Sequence, residues 1–470
     1  MRFLSALALI VIASFLTSCA IYRNGRQSTS ELSWRSTPGY DLGIIELDDQ
    51  GWLFSREDAA SVIGKIRAKA DEGPSSIVVF VHGWHHNAAE DDCNLESFKR
   101  VLDRLNAESQ MEVYRKARKK FYKSEEMKII GLYIGWRGAS LPGLADYVTF
   151  WDRRPAAIRV GHGDLPEVLA RLQQIYEDGK LKTDRYTGLV TLGHSFGGQV
   201  VFAAVSDQMK ARAAAAVPMA GVAPSPVPII EGFGDLTVLV NPACDSAVYN
   251  AIDAMTRRQP YSPMQPPVMM ILSSEGDWPN GRFFPIGRSI SVLEEPRGIP
   301  QEYDQKIEAM GWERSQVTHC LALDGGVGCS GSPASVVRHD ASKSEPSPDA
   351  AVSKSDDDAM RRKCPEAYAI RLDQNNAFRN VGAWTEEHLK HPETIQLAGP
   401  LAIGGTRFYA LDPQIDPNNP FTVVKMTRDL SSGHNDMFNP KLVDFLVRYA
   451  AGAQIKRMAI NEIRKKMAAP

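Results

Sequence analysis

A serine between two glycines is the residue whose setting most directly predicts chemistry in this chain. Ser195 is the central residue of the sequence GHSFG at positions 193–197, which fits the pattern G-x-S-x-G. The apolar run 189–192 precedes it, and an alanine-rich helical pattern follows. A serine on such a strand-to-helix turn holds its hydroxyl above the sheet, where it can act as a nucleophile. The pentapeptide alone is weak evidence, and its flanking elements strengthen the prediction.

A serine nucleophile needs a general base, and His434 is the best candidate. It follows the last predicted strand, 421–426, and precedes the closing helical pattern. Parallel strands present their carboxyl ends at one edge of a sheet, so we expect His434 at the same edge as Ser195. The other histidines between Ser195 and His434 are poorer candidates, because they lie in a segment that interrupts the strand pattern: His319, His339, His388 and His391.

The histidine in turn needs a carboxylate that orients its ring and stabilises the protonated form. Asp277 is the first choice, because it follows the predicted strand 268–272. Asp245, which follows the predicted strand 236–240, is the second choice, and Glu275 is the third. The sequence leaves these alternatives open.

Backbone N–H groups complete the predicted site. Trp84 follows the predicted strand 77–81, and its N–H together with that of Phe196 is expected to form an oxyanion hole. Three histidines share the loop of Trp84: His82, His85 and His86. Their spacing fits no zinc pattern and shows no acidic partner nearby, so we expect loop-shaping histidines and no metal.

These residues are predicted to be positioned by a sheet. Short apolar runs alternate with helical patterns along most of the chain, and we predict strands at 77–81, 128–134, 187–192, 236–240, 268–272 and 421–426. Continuous apolar strands that alternate with helices indicate a mostly parallel sheet with helices on both faces. The predicted fold class is therefore α/β.

The composition limits the class of protein. The chain has 470 residues, of which 43% are hydrophobic, which excludes a globally disordered protein and a small disulfide scaffold. Its 54 basic and 56 acidic side chains give a net charge of −2. Nucleic-acid-binding proteins usually have a basic excess, so we expect no nucleic-acid partner.

The sheet domain is predicted in two parts, 41–277 and 406–452, with an insertion at 278–405 before the last strand. Within the insertion, residues 331–363 contain almost no large apolar side chain and are predicted to be disordered. The C-terminal residues 453–470 have the pattern of an amphipathic basic helix, which we expect to dock on the domain with its basic face in solvent.

The N-terminus predicts export and a lipid anchor. The apolar run 4–16 is too short to span a bilayer, and residues 1–18 fit a signal peptide. The sequence before Cys19 resembles the lipobox of bacterial lipoproteins, which implies cleavage before Cys19 and acylation of that residue. Residues 19–40 would then be a tether. The resemblance to lipoproteins with alanine at the next position, here Ala20, implies the outer rather than the inner membrane, so we expect the periplasmic face of the outer membrane.

Five cysteines remain after Cys19, an odd number for an oxidising compartment. Cys320 and Cys329 flank a glycine-rich turn and could form a disulfide. We therefore expect at least one free thiol, in a buried position.

The motifs around residues 82–84, 193–197, Asp277 and His434 together resemble the α/β-hydrolase superfamily. The loops VHGW at 81–84 and GWRG at 135–138 are similar to those of a poorly characterised bacterial branch of serine hydrolases. The resemblance covers residues 75–277 and 420–451. It implies a Ser-His-Asp mechanism without a cofactor, whereas the segment 278–405 departs from the plain fold.

The expected activity is hydrolysis of a small-molecule or lipid ester through an acyl-enzyme. Residues 136–163 are rich in aromatic and leucine side chains and could form an apolar cap over the site, although ordinary packing would explain them equally well. An amidase or peptidase of the same fold is the alternative chemistry. A hydrolase-like envelope protein that binds a partner without catalysis is the alternative from a different class.

Overall fold

A computed structural model describes residues 33–122, 124–138, 150–182, 185–217, 229–291, 300–330, 362–367, 369–370, 397 and 399–468. The predicted signal peptide, Cys19 and most of the predicted tether lie outside these residues. The stretch 331–363 was predicted to be disordered. Its residues 331–361 also lie outside the described part of the chain, whereas Arg362 and Lys363 are helical.

The described residues form one sheet and the helices that cover it. The strands are Trp34–Ser36 (β1), Asp41–Glu46 (β2), Ser75–Val81 (β3), Lys128–Gly135 (β4), Thr187–His194 (β5), Leu236–Val240 (β6), Met269–Ser274 (β7), His319–Leu323 (β8), Leu401–Ile403 (β9), Thr406–Ala410 (β10) and Phe421–Met426 (β11). The helices are Arg56–Asp71 (α1), Cys93–Ser109 (α2), Glu112–Tyr122 (α3), Phe150–His162 (α4), Leu165–Leu181 (α5), Phe196–Ala216 (α6), Asn250–Thr256 (α7), Phe284–Ser291 (α8), Pro300–Ile307 (α9) and Pro440–Ala468 (α10).

The strand order is β1-β2-β4-β3-β5-β6-β7-β11-β8-β10-β9. The eight strands from β2 to β8 in this order are parallel to one another, while β1 pairs antiparallel with β2 at one edge and β10 pairs antiparallel with β8 and β9 at the other. The prediction of an α/β fold with a mostly parallel sheet flanked by helices is therefore confirmed.

The central position of β3 in the sheet explains why its residues 77–81 are all apolar. Ile77, Val79 and Val81 face the core under α1, α4, α5 and α6, whereas Val78 and Phe80 face the core under α2 and α10. Side chains alternate between the two faces of a strand, so a strand covered on both faces needs apolar residues at every position.

The predicted domain boundaries differ from the structure. β1 falls within the predicted tether 19–40, while β8 and β9 fall within the predicted insertion 278–405. β8 lies inside the sheet, parallel to β11 and antiparallel to β10. It has only five residues, and its partner β10 begins more than eighty residues later in the chain, so local sequence patterns gave no sign of the pairing.

The predicted separate C-terminal helix at 453–470 is also corrected. α10 runs without a break from Pro440 to Ala468, and two of its basic residues, Lys456 and Arg457, are buried rather than in solvent. Arg457 forms an ion pair with Glu231, which explains how a basic side chain can be accommodated there. No helix in the described part of the chain is long and apolar enough to cross a membrane.

Two disulfides are present among the described residues. The predicted pair Cys320–Cys329 is confirmed, and a second bond joins Cys93 at the start of α2 to Cys364. The remaining thiol, Cys244, is free and buried, as expected from the odd number of cysteines. The bond Cys93–Cys364 was not predicted, because its cysteines are 271 positions apart in the sequence.

Candidate active site

Ser195 occupies a strained turn between β5 and α6. Its backbone angles are φ 55° and ψ −123°, a region that side-chain-bearing residues rarely adopt and that costs about 1–3 kcal/mol. The two glycines of the motif permit the turn: a Cβ on Gly193 would lie 2.6 Å from Gly197 O, and one on Gly197 would lie 2.2 Å from Val81 O. This steric requirement explains the G-x-S-x-G pattern and leaves the serine at the carboxyl edge of the sheet.

Three side chains from separate loops meet at this edge. The Nε2 atom of His434 lies 2.7 Å from Ser195 Oγ, and its Nδ1 atom lies 2.9 Å from Asp277 Oδ1. An ionised carboxylate only accepts hydrogen bonds, so Nδ1–H donates to Asp277, and Nε2 is left to accept from the serine hydroxyl. The structure thus brings together the three residues chosen from the sequence, with the ring in the tautomer that a general base needs.

The hydrogen bonds and ion pairs of the three candidate acids favour Asp277 over Asp245 and Glu275 as the partner of His434. Asp277 is fully buried, and its Oδ1 atom also accepts a hydrogen bond of 2.9 Å from the backbone N–H of Asn280. Asp245 instead forms ion pairs with Arg154 and Arg288, at 2.8 Å and 2.9 Å. The carboxylate of Glu275 accepts the N–H of Ser330.

A half-buried lysine lies near Asp277. Lys425 of β11 donates a hydrogen bond of 2.8 Å to Gly311 O, and its ammonium group lies 3.8 Å from the ring centre of Trp312. Burial lowers the pKa of Lys425 to about 8, while the nearby carboxylates of Glu275 and Asp277 favour its charged form. When protonated, this lysine adds positive potential on the side of the site where Asp277 is held.

Two residues that the sequence analysis did not select hold the loop of His434. His194 Nε2 lies 2.9 Å from His434 O, and the side-chain amide of Asn241 donates to the same oxygen at 2.8 Å. Asn241 Oδ1 also accepts a 2.9 Å hydrogen bond from the backbone N–H of Ser274, so it links this loop to the end of β7. Burial lowers the pKa of His194 well below its usual value, which keeps its ring neutral.

The one sequence signal that points to Asn241 as a site residue is its position directly after a strand. It follows β6 directly and has a φ of 46°, a left-handed conformation that asparagine adopts more readily than most residues. A single asparagine after an apolar run is a common turn signal, so its sequence context does not assign Asn241 to the site.

The predicted oxyanion donors lie beside the serine. Phe196 is the first residue of α6, and its ring centre lies 5.9 Å from that of Trp84 in the loop after β3. Gly83 packs closely on Ser195, since a Cβ there would lie 2.9 Å from Ser195 Cβ. N–H groups at a helix N-terminus favour a developing anion, but the oxyanion role of Trp84 and Phe196 stays a prediction.

His82 is a structural residue. Its Nδ1 atom donates to Gly83 O at 2.9 Å, and its Nε2 atom accepts the backbone N–H of Trp136 at 3.0 Å. Burial lowers the pKa of His82 to about 4, so the ring stays neutral. It therefore connects the loops after β3 and β4 and offers no nitrogen to a metal.

His86 also uses both of its ring nitrogens. One approaches Asp92 Oδ1 at 3.1 Å, and the other lies 2.7 Å from the side-chain nitrogen of Asn94. Asp92 is the acidic partner that the sequence analysis considered missing, and this contact fixes the loop against the start of α2. No group of three or more potential metal ligands occurs in the part of the chain that the structure describes.

Comparisons of the chain with family models, with curated proteins and with solved structures found no match. The chemistry of the site must therefore be argued from its geometry. A hydroxyl hydrogen-bonded to an imidazole, which is itself oriented by a buried carboxylate, is an arrangement suited to nucleophilic attack on a carbonyl carbon.

Proposed function

We propose that the protein is a serine hydrolase of the α/β-hydrolase type that cleaves esters through an acyl-enzyme. The observation that carries the proposal is the imidazole of His434, which lies within hydrogen-bond distance of both Ser195 Oγ and Asp277 Oδ1. The order of nucleophile, acid and histidine along the chain is also the order found in α/β-hydrolases. The strained serine between β5 and α6 supports the same class.

The reaction follows from these contacts. His434 Nε2 takes the hydroxyl proton of Ser195 as Oγ attacks the ester carbonyl carbon, and the carbonyl electrons move to oxygen. The N–H groups of Trp84 and Phe196 stabilise this oxyanion, and loss of one donor would raise the barrier by about 3 kcal/mol. The intermediate expels the alcohol, which takes the proton from His434. Water then attacks the acylated serine with His434 as base and releases the acid.

Apolar side chains near the acid favour a substrate with an apolar part. Trp278 and Phe283 follow Asp277 and are 58% and 52% exposed, with their ring centres 4.4 Å apart, and Ile286 of α8 is 60% exposed. Exposed large apolar side chains that lie together mark sites of apolar contact. An acyl ester or a lipid ester is therefore the proposed substrate class.

The predicted apolar cap at 136–163 contributes less than the sequence suggested. Trp136 is buried beneath the loop of His82, and α4 packs on the nucleophile helix α6. A Cβ on Gly161 would lie 2.6 Å from Ala203 Cβ, so the two helices approach closely. α4 is therefore part of the layer that supports Ser195, while residues 139–149 lie outside the described part of the chain.

We also propose that the mature chain is anchored in the bacterial envelope through acylated Cys19, on the periplasmic face of the outer membrane. The lipobox-like sequence before Cys19 supports this proposal. The two disulfides agree with an oxidising compartment. Replacement of Cys19 by serine should move the protein from the membrane fraction to the soluble fraction, and unchanged partitioning would contradict the anchor.

Labelling by a fluorophosphonate probe tests the catalytic proposal. The wild-type protein should be labelled, whereas Ser195→Ala should not be, and Ser315→Ala at an exposed position provides the matched control. Ester and amide substrates with the same acyl group then separate an esterase from an amidase or peptidase. Absence of Ser195-dependent labelling in folded protein would instead favour a non-catalytic binding protein.

A further inference from the structure

A cavity of about 130 Å³ lies on the face of the sheet that α2 and α10 cover. One water needs roughly 10–15 Å³ by this measure, so there is room for a chain of several methylene groups. Its walls are mostly apolar and come from the sheet and both helices, with Val78, Leu105 and Leu446 as examples. Such walls favour an apolar ligand, because binding removes apolar surface from water.

The cavity extends along the strands. At one end it is lined by Phe80 and Leu192, and by Met437 and Phe438 of the turn that follows His434. At the other end it reaches Ser76, near the start of β3. Ser76 and Phe80 are four positions apart on β3, which corresponds to about 13 Å. The cavity is therefore long enough for an extended aliphatic chain of medium length.

The end near Ser76 has a cation without an acidic partner. Arg118 of α3 lines the cavity and is only 5% exposed. Its Nε and Nη2 atoms donate to the backbone carbonyls of Glu125 and Ser109. No carboxylate in the described residues forms an ion pair with it, and burial lowers its pKa to about 10. A buried charge without a counter-ion is costly, so an anion at this position would be stabilised.

Glu108 lines the same end but does not neutralise Arg118. Its carboxylate faces the charges of Arg104, Arg448 and Asp444, and Tyr114 donates to it at 3.5 Å. Burial raises the pKa of Glu108 to about 7. Arg118 therefore remains the group that an incoming anion would meet.

We propose that this cavity binds a medium-chain aliphatic carboxylate, with the chain between the sheet and α10 and the carboxylate on Arg118. The site is distinct from the predicted active site, because its cationic end lies at the amino ends of the strands and Ser195 lies at their carboxyl ends. The inner end of the cavity touches Met437 and Phe438, three and four residues after His434. A bound chain would therefore pack against the turn that follows the catalytic histidine.

Calorimetric titration with decanoate tests the inference, with Ser195→Ala as the parent protein so that the proposed nucleophile is absent. Decanoate should bind, and Ala450→Trp, which fills the cavity, should abolish binding. Arg118→Met should weaken binding by about tenfold to a hundredfold, the usual effect of losing a charge-assisted hydrogen bond. Arg118→Lys should retain part of the affinity, and Arg115→Met, at an exposed position on the same helix, should retain all of it.

Decanol separates the contribution of the head group from that of the chain. Decanol should bind the parent protein more weakly than decanoate does. The affinity of Arg118→Met for decanol should equal that of the parent. Circular dichroism establishes that each variant is folded. The inference is overturned if decanoate does not bind, or if folded Ala450→Trp or folded Arg118→Met binds it as tightly as the parent. These results are independent of whether Ser195 reacts with a fluorophosphonate.

Discussion

Two buried aspartates at opposite edges of the sheet have different surroundings. Asp235 directly precedes β6 at the amino edge, Asp277 follows β7 at the carboxyl edge, and both are fully buried. The hydroxyls of Tyr176 and Tyr186 donate to Oδ1 of Asp235, and the N–H of Leu189 donates to its Oδ2 at 2.9 Å. Both oxygens of Asp235 are therefore occupied by fixed groups of the framework.

Asp277 is satisfied less completely. Its Oδ1 atom accepts from Asn280 and His434, while its Oδ2 atom has no hydrogen-bond partner among the described residues. Asp277 thus orients a ring in a loop, whereas Asp235 joins a helix to two strand ends. Burial alone does not distinguish a structural from a functional carboxylate, but the identity of the hydrogen-bond donors does.

The largest expected effect is that of Asp277→Asn on turnover. The amide still fits the space but cannot hold His434 in the required tautomer or stabilise its protonated form. We expect kcat for an ester substrate to fall about ten-thousandfold, with little change in the melting temperature. Steady-state kinetics on folded protein would measure this effect.

Asp245→Asn is the matched control, since it alters the alternative acid that pairs with Arg154 and Arg288. Its kcat should remain within a few-fold of that of the wild type. If Asp245→Asn were the inactive variant and Asp277→Asn the active one, the assignment of the acid would be wrong.

Asp235→Ala should show the opposite pattern. It leaves two tyrosine hydroxyls and the N–H of Leu189 without an acceptor in a buried position. We expect the free energy of unfolding to fall by about 3 kcal/mol, with kcat per folded molecule unchanged. Denaturant titration and active-site labelling together measure both quantities. A large loss of kcat without a loss of stability would remove the distinction between the two aspartates.

Local sequence signals were sufficient to predict the central elements and to select Ser195, His434 and three candidate acids. The apolar run of β3 and the glycines around Ser195 report on burial and on close backbone approach, which are local requirements. His434 and Asp277 were selected because each follows a strand, and the carboxyl ends of parallel strands share one edge. The choice among the acids needed coordinates, because three carboxylates satisfied that rule.

Contacts between distant segments could not be predicted. Arg457 was predicted to lie on a solvated basic face. Its partner Glu231 lies 226 positions earlier, so no local pattern indicated the ion pair. β8 and the bond Cys93–Cys364 were missed for the same reason. His194 was recognised only as part of the serine motif, although its ring helps to hold the loop of His434. Hydrophobic periodicity reports which face of an element is buried, but not which distant element covers it.

Asn241→Gly is expected to have a smaller effect on the carboxyl edge than Asp277→Asn. Glycine tolerates the left-handed φ of 46°, so the backbone is retained while the hydrogen bond to His434 O is lost. A small displacement of the histidine should lower kcat by about tenfold to a hundredfold and leave KM nearly unchanged. Retention of full kcat would show that His194 alone is sufficient to hold the loop.

The smallest expected effect concerns acid stability at the amino edge. Burial alone would raise the pKa of Glu231, but Arg457, Lys180 and Arg464 outweigh it and lower this pKa from 4.5 to about 2. The unfolded chain therefore takes up this proton more readily than the folded protein. The stabilisation is complete above about pH 5 and is lost as the pH falls toward 2.

Because Glu231 is 28% exposed in its ion pairs, we expect about 2 kcal/mol from this effect rather than the full value of the pKa shift. Glu231→Gln should lower the free energy of unfolding by that amount at pH 7 and should flatten its decline between pH 5 and pH 2.5. Glu126→Gln, at an exposed position, should leave the wild-type profile unchanged. Urea titrations across this pH range provide the measurement. If Glu231→Gln declined as steeply as the wild type, the acid-labile interactions would lie elsewhere in the protein.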